Sequence, residues 1–287
     1  MIANGKSCGE KTSPFLVIFS DLDGTLLDPF TYSWKDAKEA IAHCKRLDIP
    51  IILVTSKTRA ELELIIEDLD IQDPFITENG GGIFFPKTRF PAPPVGSESV
   101  NNFWRWSLGV PYEILKSALK EIAAETGCKI IGFSDMDPRQ ISSLTGLDLE
   151  QARRAAKREF DEPFIVEDMR EDQETLITKA AHRKGLKVSK GGRFFHLHGN
   201  SDKGLATRRL IGWYRDMGHS IYCLGIGDSD NDIPMLEAVD QPIFVGEREK
   251  LGSLEAHLSR LMVTTQRGPK GWNEGVMKFL KTHGGIC

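Results

Sequence analysis

At 287 residues, with 40% hydrophobic and 27% charged residues, the chain can bury one large core and a second smaller one, which excludes a disordered or collagen-like protein. Its formal net charge of −4 calls for neither nucleic acid nor an anionic membrane as partner. The 5 cysteines (Cys8, Cys44, Cys128, Cys223, Cys287) form no CxxC pair and imply reduced thiols in a cytoplasmic protein; Met1–Pro14 lacks the apolar stretch of a signal peptide, and no segment approaches the roughly 20 apolar residues of a membrane span.

Residues 15–20 (Phe-Leu-Val-Ile-Phe-Ser) are continuously apolar and β-branched, which predicts a strand buried on both faces, and they end abruptly in Asp21-Leu-Asp-Gly-Thr25. A helical period follows over residues 35–46, then a second buried strand over 49–55, a helix near 59–69, and a strand at 74–77 that closes on Glu78-Asn-Gly-Gly-Gly82. Strand alternating with helix predicts an α/β fold, a doubly wound parallel sheet. The Pro-rich stretch 86–94 reads as a hinge into an inserted α+β segment. That segment is expected to hold helices near 111–126, 149–158 and 173–184, strands at 129–133, 164–167 and 193–198, and a hairpin turn at Gly191-Gly192. The α/β grammar returns at Asn200, with a helix over 203–217, a buried strand over 220–226, a short helix at 231–238, a strand at 241–245 and a closing helix over 271–282. Residues 14–88 and 199–287 are therefore expected to form one core domain, and residues 89–198 an inserted cap domain.

Open α/β sheets bind ligands beyond the carboxyl ends of their strands. Here those ends carry Asp21 and Asp23, then Thr55 and Ser56, then Asp228 and Asp232. Several carboxylates at one crevice repel one another unless a cation offsets them, and hard oxygen ligands in a small cluster suit Mg²⁺. Asp-x-Asp-Gly-Thr, followed in order by Thr55 at a strand end, Lys203 at a helix start and Gly227-Asp-Ser-Asp-Asn-Asp232, resembles the motif series of the haloacid dehalogenase-like hydrolases. That resemblance implies a nucleophile at Asp21 that becomes an aspartyl-phosphate, and a general acid and base at Asp23. It implies a phosphoryl donor at Thr55, a charge-offsetting Lys203, and a metal site drawn from Asp21, the Asp23 carbonyl, Asp228, Asn231 and Asp232. Taken alone, Thr55 is equally an ordinary strand residue, and Lys203 also fits a solvated first-turn position behind an Asp202 cap.

An α+β insert between the Thr55 strand and the Lys203 helix resembles the larger cap of the Cof-like subgroup, which implies a small phosphorylated metabolite as substrate. Thr55-Ser-Lys-Thr-Arg59, Glu78-Asn-Gly-Gly-Gly82, Glu162-Pro-Phe164 and Gly191-Gly-Arg-Phe-Phe-His196 are closer to the mannosyl-3-phosphoglycerate phosphatases. The implied substrate is then a phosphorylated glycoside, mannosyl- or glucosyl-3-phosphoglycerate, with Ser56, Lys57 and Arg59 beside the phosphate and Glu162, Arg193, His196 and His198 in the cap as its binding residues. Lys57 and Arg59 also fit solvated helix-entry positions, and His196 and His198 fit an exposed hairpin. The aromatics of Asn101-Asn-Phe-Trp-Arg-Trp106 suit core packing better than stacking on a sugar. A general sugar-phosphate phosphatase, a phosphohexomutase and a non-catalytic phosphosugar sensor are the other readings of this pattern, and it leaves the oligomeric state open.

Overall fold

Residue by residue, β1 (Phe15–Ser20) feeds two cores: Leu16 and Ile18 enter one, Val17 and Phe19 the other. Burial on both faces is the physical reason its sequence is continuously apolar. The computed structural model describes residues 14–170, 172–191, 193–246, 258 and 260–283. In chain order the following strands are β2 (Ile51–Val54), β3 (Phe75–Thr77), β4 (Gly82–Pro86), β5 (Glu98–Val100) and β6 (Phe103–Ser107). Then come β7 (Ile130–Gly132), β8 (Asp161–Val166), β9 (Lys187–Gly191), β10 (Phe194–His198), β11 (Ile221–Gly227), β12 (Gln241–Phe244) and β13 (Met262–Val263).

A 9-stranded sheet has the order β13-β12-β11-β1-β2-β3-β4-β6-β5. It is parallel from β13 to β3, and β4, β6 and β5 extend it as an antiparallel edge. Helices α1 (Lys38–Arg46), α2 (Arg59–Asp68) and α9 (Gly268–His283) cover one face. Trp272 of α9 is fully buried there and donates its indole N–H to Ser20 Oγ at 2.8 Å, which satisfies its one polar atom. Helices α7 (Lys203–Asp216) and α8 (Ile233–Leu236) cover the other face.

The second sheet, β7-β8-β10-β9, is small and antiparallel. Helices α3 (Tyr112–Thr126) and α6 (Gln173–Arg183) pack on one of its faces, over Phe164, Phe195 and Leu197. Helices α4 (Pro138–Thr145) and α5 (Leu149–Ala155) gather around Phe133 and Phe194. This sheet with its helices is the cap. The chain enters it at Val110 and leaves at Gly199, and these meet: a Cβ on Gly199 would stand 2.8 Å from Val110 Cγ2.

The expected start of the insert at residue 89 does not match the sheet. Strands β5 and β6 belong to the large sheet, joined by a turn in which Asn101 takes a left-handed φ of 49°. Phe103 enters one core, and Trp106 packs edge-on against Phe85 at 4.8 Å in the other. The aromatic run is core packing.

Candidate active site

Three strand ends and one helix start build the site. Asp21 follows β1, and its N–H donates to the Ile226 carbonyl of β11 at 2.9 Å, so the parallel pairing that makes the sheet also fixes this residue. Lys203, at the start of α7, is buried and donates to Asp21 Oδ1 and Asp232 Oδ1, each at 2.6 Å, from 182 positions away from Asp21 in the chain. Gly80 brings this helix start close: its φ is +95°, and a Cβ there would sit 2.1 Å from the Asp202 carbonyl oxygen.

Asp21, Asp228 and Asp232 place carboxylate oxygens within 4.8 Å of one another. Burial raises the Asp21 carboxyl well above its ordinary value and Asp232 adds to the rise, with Lys203 opposing. Burial alone would lower the Lys203 ammonium; Asp21 and Asp232 outweigh it and raise it. The one ammonium thus bridges two of three clustered acids. A like-charge cluster of this kind, held by oxygen donors, fits a divalent cation. Asp232 spends both oxygens inside the protein, one on Lys203 and the other on the N–H groups of Asp228 and Ser229, at 3.0 and 3.1 Å. It is therefore better placed to orient Lys203 and the Asp228 loop than to ligate.

Gly24 turns the chain with φ +82°, and a Cβ there would meet Asp228 Oδ2 at 2.5 Å. Only glycine brings the Asp23 turn this close to Asp228. Asp23 is partly exposed, and one carboxylate oxygen pairs with Lys57 Nζ at 2.8 Å. Thr55 is buried at the end of β2, where its Oγ1 accepts the Lys57 N–H at 3.2 Å. Asn231 is exposed; its side chain accepts from Ser229 Oγ at 2.7 Å and donates to Asn79 Oδ1 at 3.4 Å.

A model of the haloacid dehalogenase-like hydrolase family matches residues 18–251. The chain belongs to the haloacid dehalogenase-like hydrolases. It is 39% identical over 270 residues to a glucosyl-3-phosphoglycerate/mannosyl-3-phosphoglycerate phosphatase of Methanococcoides burtonii, covering 94% of this chain and 99% of that one. To a mannosyl-3-phosphoglycerate phosphatase of Pyrococcus horikoshii it is 38% identical over 230 residues, covering 80% and 90%. Among solved structures, a phosphatase of the same superfamily from Bacteroides thetaiotaomicron aligns over 99% of this chain and all of its own, with TM-score 0.64 and 19% identity. A subclass IIB sugar phosphatase aligns over 94% of this chain and 99% of its own, with TM-score 0.60 and 18% identity. These two share the fold.

In this haloacid dehalogenase-like hydrolase the cap presents its open sheet face with Asp161, His196 and His198 on it. Asp161 accepts from His196 Nδ1 at 2.8 Å and pairs with Arg158 at 3.5 Å. Burial would raise the Asp161 carboxyl, but His196 and then Arg158 hold it below its ordinary value. Arg158 also reaches the core and donates to the Ser56 carbonyl at 2.9 Å, beside Thr55. Sequence reading missed this residue: one Arg at the end of a helical stretch belongs to no motif, and only the tertiary pairing of cap with core gives it a task.

Three expected substrate residues point elsewhere. Glu162 lies opposite Leu197, on the helix-covered face of the cap sheet, fully buried and accepting Ser134 N–H and Oγ at 3.0 and 2.7 Å. Strand alternation sends it away from its neighbour Asp161. Arg59 is spent on Glu63 and Glu159, tying α2 to the cap. Arg193 is exposed and donates to the Leu144 carbonyl at 2.9 Å. Cys44, Cys128 and Cys223 are buried free thiols, while Cys8 and Cys287 lie outside the described residues. No helix among the described residues is long and apolar enough to cross a membrane.

Proposed function

We propose that this chain is a Mg²⁺-dependent phosphatase that hydrolyses mannosyl- or glucosyl-3-phosphoglycerate to the glycosylglycerate through an aspartyl-phosphate at Asp21. The observation that carries the substrate is the 39% identity, over nearly the whole of both chains, to a phosphatase named for those two compounds. The chemistry is carried by the buried Asp21–Lys203–Asp232 chain beside Asp228.

Asp21 uses one oxygen on phosphorus as the ester P–O bond breaks, and Asp23 gives a proton to the departing glycerate oxygen. Asp23 then takes a proton from a water that attacks the aspartyl-phosphate, which releases inorganic phosphate and restores Asp21. Thr55 donates a hydrogen bond from its hydroxyl to a phosphoryl oxygen, and Lys203 offsets the negative charge that gathers there. Asp21, Asp228, the Asp23 carbonyl and Asn231 would hold Mg²⁺, which offsets charge on the phosphoryl oxygens when bound. Lys57, beside Asp23, would meet the glycerate carboxylate, with Ser56 at the phosphate and His196 and His198 above it from the cap.

Kinetics on the two glycosylated compounds, 3-phosphoglycerate, glucose 6-phosphate and mannose 6-phosphate test this reading. Each simple ester lacks one or two of the groups a dedicated site would bind, at about 1–3 kcal/mol per unpaired partner, so kcat/KM should favour the glycosylated compounds by at least about a hundredfold. Phosphate release should stop in excess chelator and return with Mg²⁺. A flat substrate profile would reassign the enzyme to general sugar phosphates.

A further inference from the structure

A cavity of about 250 Å³ opens between core and cap beside the Asp23–Lys57 pair. Its core wall is the loop from Leu27 to Trp34 and one side of α2, and its cap wall is Leu147, Gln151 and Arg154. Lys57 stands where the cavity meets the reacting centre, 2.8 Å from the Asp23 carboxylate and 5.1 Å from the centroid of the Tyr32 ring.

The walls are fixed to one another. Thr58, which caps α2, donates its hydroxyl to the Arg154 carbonyl at 3.0 Å and so ties α2 to the end of α5. Tyr32 has a left-handed backbone, with φ 55°. Asp28 holds that turn: its carbonyl accepts the Tyr32 N–H at 2.9 Å, and its carboxylate accepts the N–H groups of Phe30 and Thr31 at 3.1 and 2.8 Å. The cavity also contains unspent donors. Among the described residues Arg154 makes no ion pair, and Gln151 uses its side-chain carbonyl on the Asp148 N–H at 3.0 Å while its amide N–H groups have no partner. A flat aromatic ring on one wall and hydrogen-bond donors on the other match the apolar C–H face and hydroxyl edge of a pyranose.

The chemistry of the leaving group points the same way. Glycerate has two hydroxyl groups and phosphate takes one, so a hexose occupies the other, on the neighbouring carbon. With the ester oxygen at Asp23 and the carboxylate at Lys57, the space beyond Lys57 is where the sugar goes. We infer that this cavity is the hexose subsite, with Tyr32 as its stacking surface and Arg154 and Gln151 as donors to its hydroxyls. The inference rests on the glycosyl-3-phosphoglycerate reading above and assigns sugar selection to α5 and the loop before α1, not to the cap strands.

Arg154→Ala and Tyr32→Ala, with Tyr32→Phe as the conservative control, test it against wild type on mannosyl- and glucosyl-3-phosphoglycerate and on bare 3-phosphoglycerate, with a melting curve for each protein. Each alanine variant should lose at least about tenfold in kcat/KM on the glycosylated compounds, mostly through KM, and stay within about twofold of wild type on 3-phosphoglycerate. Tyr32→Phe, which keeps the ring, should stay within about threefold on all. If Tyr32→Ala does not fold, the partly exposed Arg154→Ala carries the test. Equal losses on glycosylated and bare substrates, or no loss on either, overturn the subsite while the wild-type preference keeps the substrate reading. A wild-type enzyme that does not prefer the glycosylated compounds overturns both.

Discussion

Lys203 is the residue on which the site turns. Its ammonium has no exposure, and it holds together two carboxylates that would otherwise repel one another across a buried gap. Burial and Asp232 disfavour the charge on Asp21, and Lys203 opposes them. Asp21→Asn should therefore lower turnover by more than about a thousandfold, or about 4 kcal/mol in the barrier, because an amide is a poor nucleophile. The same substitution removes one acid from a like-charge cluster, so the melting temperature should hold or rise. Phosphate release and a melting curve on one preparation check both; a tenth of wild-type activity in the folded variant would rule out Asp21 as nucleophile. Their places at a strand end or a helix start were legible in sequence through the order of the motif series, whereas Lys203 taken alone also reads as a first-turn residue. Glu162 was misassigned because its motif gave a position but not a face, and one step along a strand reverses the face.

Among the elements, the loop after β3 grips the two residues just before β8. The buried Glu78 carboxylate accepts the N–H groups of Glu159, at 3.0 and 3.1 Å, and of Phe160, at 2.8 Å. Burial pushes the Glu78 carboxyl from 4.5 up to about 8, against the pull of Arg158 and those N–H groups. Folded Glu78 thus binds its proton more tightly than the unfolded chain does. The resulting stabilisation is full below about pH 4.5 and is lost as pH rises through about 8. Wild-type melting temperature should fall between about pH 4.5 and about pH 8, and Glu78→Gln should flatten that part of the curve. An unchanged slope in the variant would locate the titration elsewhere. The β5–β6 hairpin shows why some elements escaped the sequence. A three-residue strand, an Asn-Asn turn and an aromatic run beside a Pro-rich stretch resemble a hinge locally, and only pairing with β4 makes them sheet.

For the whole molecule, the sheet boundaries define what can be removed. Excising residues 110–198 and joining the ends with a short Gly-Ser bridge cuts where the chain already meets itself. That core should fold, hydrolyse a small activated ester weakly, and lose any preference for a glycosylated substrate. Excising residues 90–197 instead removes β5 and β6, bares the β4 edge and should yield aggregate. Circular dichroism and size-exclusion chromatography distinguish the two, and a soluble 90–197 deletion would show that the hairpin is dispensable. A trimmed core that kept its full substrate preference would place selection in the core loops.

The meeting of Val110 and Gly199 also bears on how the chain reaches its final state. β1 emerges from the ribosome long before β11, so one edge of the first-made half-sheet waits unpaired for most of synthesis. An unstructured connection of roughly ninety residues would make that late pairing costly, by about 4 kcal/mol in loop-closure entropy. The cap has its own hydrophobic cluster and its two ends side by side. Once folded, it shortens the effective connection to a few residues and delivers β11 to its place. The insert that covers the site is thus also the splint on which the two halves of the nascent sheet are joined.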